Sequence, residues 1–269
     1  SRARASKCAV VGTVMDCPDH WIGDFTTSTC GSVGLLVGAG NQRIMNGKCW
    51  YIGMCRGEEP LGIGVQFSDA SGNKNCTGIN ITTQDTYSSG IQLDGQNLFI
   101  TGAIDNAGGG RLEQYAQHWS GTRTRPKVAL DMANIRDTTA FINIEGQSDV
   151  YNTGVLPNLV HFSASGCDRN EIELSVNRFN TKYWNNTAVT AVSGYTNAKR
   201  HNVVWMNGQL IHGARTATEL GDKAHSINIY KGVGTTALDS TNNRVLMATA
   251  AGDTAPWRTL DGTSVITPA

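Results

Sequence analysis

A glycine followed by a short apolar alternation recurs three times at one interval. Gly34-Leu35-Leu36-Val37, Gly62-Ile63-Gly64-Val65 and Gly90-Ile91-Gln92-Leu93 stand twenty-eight residues apart in turn. No other feature narrows the fold as far. A unit of this length built from short strands cannot bury its apolar face alone, so a repeat of it predicts stacked coils. A turn of roughly 28 residues suits three short strands and three bends per coil, the layout of a parallel β-helix. Stacking places like above like, which puts positions 35, 63 and 91 in one internal ladder and 37, 65 and 93 in another.

The rest of the chain keeps the rhythm. Asn41 to Gly47, Asn75 to Ile81, Asn97 to Gly102, Asn170 to Val176 and Asn202 to Gly208 each begin with asparagine, which tolerates the left-handed backbone region, and continue as an alternating strand. Ala140 to Gly146 and His225 to Tyr230 alternate in the same way. Helical signals are few. Leu112, Tyr115, Ala116 and Trp119 share one amphipathic face, so 111–119 reads as a short inserted helix, and Thr216-Ala217-Thr218-Glu219 has the form of a capping box.

Composition removes several functional classes. The 269 residues carry 22 Lys and Arg against 22 Asp and Glu, so bulk charge implies no polyanionic partner. Arg123, Arg125 and Lys127 flank Pro126 without interleaved aromatics, which reads as a solvated loop rather than a nucleic-acid site. No apolar run approaches the roughly 18 residues of a membrane-spanning helix, and Ser1-Arg2-Ala3-Arg4 opens no signal-peptide core. Six of the seven cysteines lie at or before position 76, at spacings that match no zinc signature. They read as small buried apolar groups, with a redox or inter-subunit bond as the alternative. The six histidines form no HxxxH or HExxH pair, and no phosphate-cradling or nucleophile-elbow motif occurs, so neither metal nor cofactor is expected. The sequons at Asn75, Asn80 and Asn185 are uninformative in a chain so rich in Asn and Thr.

The glycine-punctuated coils, the asparagine-led turns and the insertion after Ile104-Asp105-Asn106-Ala107-Gly108-Gly109-Gly110 resemble the right-handed parallel β-helix of phage tailspikes and related pectate-lyase-like carbohydrate-active proteins. Ile100-Thr101-Gly102-Ala103-Ile104-Asp105 is similar to a turn of polygalacturonase-type helices, although the paired-aspartate, Gly-His-Gly and Arg-Ile-Lys signatures of those hydrolases are absent. The resemblance implies an all-β solenoid with loop insertions and a C-terminal cap. It also implies attachment to a cell-surface polysaccharide, often with its cleavage, by a homotrimer located on a virion or otherwise outside the cell. Coils are expected over 1–235, continuing from missing upstream coils, and a cap or oligomer contact over 236–269.

Cleavage of a glycosidic bond needs two carboxylates, one protonated and one ionised. The outward carboxylates are Asp85, Asp94, Asp105, Glu113, Asp131, Glu145, Glu171 and Glu173. Asp94 before Gly95 and Asp105 before Asn106 read first as turn residues. Of the two, Asp105 is the better catalytic candidate, paired with Glu113 across the glycine-rich insertion. Sugar faces stack on aromatic rings, which nominates Tyr115, Trp119, Tyr183, Trp184 and Tyr195 as substrate platforms. The expected function is a glycosidase-type depolymerase. The alternative is a non-enzymatic receptor-binding or structural spike.

Overall fold

The computed structural model describes residues 2–7, 11–53, 59–68, 74–107, 128–145, 158–162, 167–177, 192–193, 202–206, 209–211, 217–224, 228, 231–239, 241–263 and 265–269. The chain is all-β with almost no helix, and most of its sheet is parallel.

Successive strands are dealt alternately to two sheets. The first holds β1 (Arg2–Ser6), β4 (Asp24–Cys30), β6 (Arg43–Ile52), β8 (Thr77–Thr86), β10 (Phe99–Ala107), β12 (Thr139–Glu145), β14 (Glu171–Asn177) and β16 (Val203–Met206) in that spatial order. The short β3 (Trp21–Ile22) joins β6, and β17 (Gln209–Ile211) closes the far edge antiparallel to β16. The second sheet runs β2 (Val11–Met15), β5 (Val33–Val37), β7 (Ile63–Phe67), β9 (Ser89–Gln96), β11 (Val128–Arg136), β13 (Asn158–Phe162) and β15 (Val192–Ser193), all parallel. From β4 to β16 each strand therefore pairs with the strand two along in sequence, an arrangement compatible with a parallel β-helix. Before the C-terminal meander the described residues form two sheets, where three strands per coil were expected.

The core lies between the sheets. On the second sheet, Leu35, Val65, Ile91, Leu130 and Val160 stack in register, each fully buried. Val37, Phe67, Leu93, Met132 and Phe162 form the neighbouring ladder. This corrects the expected ladders, because Ile63 pairs with Val33 and it is Val65 that lies between Leu35 and Ile91. The glycine above Gly34 is accordingly Gly64, not Gly62. Side chains alternate with period two, so a slip of two residues keeps the facing and leaves the apolar pattern unable to reveal it. Residues hydrogen-bonded across neighbouring rungs are 22 apart for Asp24 and Asn46, 34 for Asn46 and Asn80, and 32 for Asp137 and Arg169, so no single period holds.

Left-handed residues mark the corners. Asn41, Asn75 and Asn97 have φ of 56°, 57° and 57°, and their amides hydrogen-bond upward, Asn75 Nδ2 to Asn41 Oδ1 at 3.2 Å and Asn97 Nδ2 to Asn75 Oδ1 at 2.7 Å. Asn170 does not continue this ladder. Arg169 takes the left-handed position with φ of 51°, and Asn170 turns inward at 1% exposure. There its Oδ1 accepts from the Thr138 N–H and its Nδ2 donates to the Ile135 carbonyl and to Asn202 Oδ1.

A second core forms at the C-terminal end, where β18 (Thr236–Asp239), β19 (Arg244–Ala248), β20 (Trp257–Thr259) and β21 (Val265–Ile266) make an antiparallel meander. Its apolar centre of Ala237, Leu246, Ala248 and Trp257 also takes in Leu220 from α1 (Ala217–Gly221), the helix at the expected capping box. The Ala217 N–H is capped by Thr241 Oγ1 at 2.9 Å. Asn228, expected in a strand, is helical and fully buried, and its Oδ1 accepts from Trp257 Nε1 at 2.7 Å. The buried Lys231 ammonium reaches the same oxygen at 2.9 Å and lies 4.8 Å from the Trp257 ring centroid.

Candidate functional site

Alternation in β10 sends Ile100 and Ile104 inward and leaves Asp105 half-buried on the outer face, between Ile104 and Asn106. Asp105 lies within the strand; the bend is made by Asn106, whose φ is 54° and whose Nδ2 donates to buried Asp85 Oδ1. Parallel register then fixes its neighbours. Trp50, Gln84, Asp105, Glu145 and Asn177 are successive Cα partners across β6, β8, β10, β12 and β14.

Asp105 and Glu145 therefore occupy one register position on adjacent strands, whose axes lie about 4.8 Å apart. Two residues earlier on the same face, the Lys48 ammonium sits 4.9 Å from the Trp50 ring centroid. Further along, Phe99 and Phe141 are about 40% exposed and meet edge to face at 6.1 Å between centroids. The outer face of the first sheet thus combines aromatic rings, amides and paired acidic positions.

A separate open cleft of about 790 Å³ lies where β3 meets β6, lined by Asp19, His20, Trp21, Asn41, Arg43, Met45 and Asn75. Trp21 is 57% exposed and is the register partner of Arg43. His20 Nδ1 lies 3.1 Å from the Cys17 carbonyl oxygen and 3.0 Å from that of Pro18.

Of the catalytic pair and the substrate platforms named from sequence, Asp105 alone lies among the described residues. Glu113, Tyr115, Trp119, Tyr183, Trp184 and Tyr195 lie outside them, as do the inserted helix and the basic loop up to Lys127. Glu145 was among the outward carboxylates but not paired with Asp105, since a separation of forty positions hides a register that only stacking reveals. Trp50 was missed, although its place after inward Cys49 is the alternation that marks an outer residue. Among the described residues, no group of three or more His, Cys, Asp or Glu could hold a metal ion, and no helix is long and apolar enough to cross a membrane. No protein-family model, curated protein or solved structure matches the chain.

Proposed function

We propose that the chain is a right-handed parallel β-helix of the tailspike kind that binds an extended cell-surface polysaccharide and cleaves it with Asp105 and Glu145. The observation that carries the reading is the outer column Trp50, Gln84, Asp105, Glu145. Right-handed crossovers are the rule for parallel strands joined through a second layer. A regularly spaced sheet face suits a regularly spaced glycan, with Trp50 as a stacking surface, Gln84 as a hydroxyl partner and the acids at the scissile bond. In this scheme one carboxyl group protonates the leaving oxygen while the other attacks the anomeric carbon, and water then releases the glycosyl group with the first residue acting as base. Attachment as a homotrimer on a virion, with 236–269 as cap or contact, belongs to the same reading.

The test is reducing-end release from a panel of bacterial surface polysaccharides by the intact protein and by Asp105→Asn and Glu145→Gln. Release that either change abolishes while glycan binding persists is the expected result. Release untouched by both changes would remove the pair from the mechanism. A second reading, a receptor-binding spike without catalysis, is favoured by the Trp21 and Arg43 cleft, which offers a ring, a guanidinium and two asparagine amides. Binding without release, lost on Trp21→Ala, would establish it.

A further inference from the structure

The first sheet carries, near the starts of its strands, an outer stripe that the Asp105 and Glu145 reading leaves unused. Met45, Ile79, Phe99 and Phe141 stand on the consecutive strands β6, β8, β10 and β12 and are 37 to 41% exposed. Met45 is the register partner of Ile79, and Phe99 meets Phe141 edge to face. Large apolar side chains gathered in this way, unlike single scattered ones, mark an interaction surface. The band ends in opposite charges. Arg43 lies two residues before Met45 on β6, while Glu171 and Glu173 on β14 are the register partners of Thr139 and Phe141. All three are exposed, and none makes an ion pair among the described residues. Beyond them stand two indoles, Trp21 on β3 as partner of Arg43 and Trp205 on β16 as partner of Glu173.

We infer that this stripe is the contact between two copies of the chain, packed face to face about a two-fold axis that runs along β10. Such an axis reverses the order of the strands and keeps position along them, and the contact it makes is self-complementary. β6 then faces β14 of the second copy, β8 faces β12 and β10 faces itself. Register sets Arg43, Phe99 and Glu171 at one position along their strands, through Thr77 and Thr139. Arg43 accordingly opposes Glu171 of the second copy, Ile79 opposes Phe141, and Phe99 meets its own equivalent. A two-fold axis along the stack would instead set β6 against β6 and β14 against β14, gathering like charges, which is unfavourable.

The charges therefore fix the antiparallel direction of the two stacks, and the apolar band supplies the burial. The seven strands from β3 to β16 span about 29 Å at sheet spacing, the breadth of the patch of about 800 Å² per partner that stable complexes bury. Asp105 and Glu145 lie six and four residues beyond Phe99 and Phe141, about 20 and 13 Å along the strands. The inference does not rest on the glycan reading, and the trimer contact of that reading, over 236–269, uses other residues. The pair covers the Trp21 and Arg43 cleft, so it competes with the second reading alone.

The experiment is sedimentation equilibrium of the full chain at micromolar concentration, with wild type beside Phe99→Asp, Arg43→Glu and the double variant Arg43→Glu, Glu171→Arg. Wild type is expected at twice the mass of Phe99→Asp, a ratio that holds whether the unit that pairs is one chain or a trimer. Arg43→Glu should raise the dissociation constant of the pair by about tenfold or more, and Glu171→Arg in the same chain should restore it, because the swapped charges meet across the axis. That restoration decides the matter even where Phe99→Asp does not fold. Wild type at the mass of Phe99→Asp, or a double variant as weak as Arg43→Glu, would overturn the inference. Loss of glycan binding in Phe99→Asp at unchanged mass would overturn it too and give the stripe to the sugar.

Discussion

A β-carbon added to Gly64 would stand 2.5 Å from the Gly90 carbonyl oxygen and 2.7 Å from Thr83 Cγ2. Gly34 meets the Gly64 carbonyl at 2.5 Å and Gly12 meets that of Gly34 at 2.7 Å, so each glycine makes room for the rung above it. Gly62 is glycine for another reason, a φ of +64° against Tyr87. Gly64→Ala is therefore expected to cost about 1 to 3 kcal/mol in urea unfolding. Gly221→Ala, with its nearest neighbour at 4.0 Å, should stay within about 0.5 kcal/mol. Asn75 combines a positive φ with a ladder in which it both donates and accepts. Replacing it by glycine removes the hydrogen bonds alone, about 0.5 to 1.5 kcal/mol. Alanine adds the left-handed penalty of about 1 to 2 kcal/mol, so equal losses for the two variants would show that the backbone conformation contributes nothing.

Elements differ in how much of them could be seen in advance. The strands of the first sheet were legible because their inward and outward residues alternate, as in β10 and β12. Pairing was not, because glycine stands both at 62, just before β7, and at 64, within it, and either could sit above Gly34. Likewise Asn170 looked like Asn41 and Asn75, yet lies one position later and faces the interior, where the ladder of backbone donors decides its role. In the β18–β19 hairpin, fully buried Asp239 accepts from the Thr241 and Asn242 N–H groups, from Asn242 Nδ2 at 2.7 Å and from Arg244 Nε at 2.9 Å. Burial by itself raises this carboxyl, but the donors outweigh it, led by Asn242 and Arg244, and the net shift is downward. A carboxylate with a depressed folded value stabilises the fold above the unfolded range near about 3.9 and loses that contribution as pH falls through the folded value. Trp257 fluorescence should thus report a stability of the C-terminal unit that declines below about pH 4. Asp239→Asn should be less stable at pH 7 and show a flatter acid limb; a limb unchanged from wild type would assign the acid sensitivity elsewhere.

At the scale of the whole molecule, four of the five described cysteines belong to the stacked core. Cys30, Cys49, Cys76 and Cys167 are buried and Cys17 is exposed. Burial, with Cys30 close by, pushes the Cys49 thiol well above its ordinary value, and a hydrogen bond from Thr27 only partly opposes this. Native-state alkylation mapped by mass spectrometry should modify Cys17 and leave those four more than about tenfold slower until urea opens the core. Modification of Cys49 at the rate of Cys17 would contradict the packing. Strand-rich segments and asparagine corners were set by local chemistry, since period-two alternation and left-handed tolerance act within a few residues. Register was decided only by the folded stack, because the apolar pattern survives a two-residue slip while backbone contact between glycines does not. The same holds for the candidate site: Asp105 and Glu145 are distant in sequence and become register neighbours only through the hydrogen-bond ladders of parallel strands.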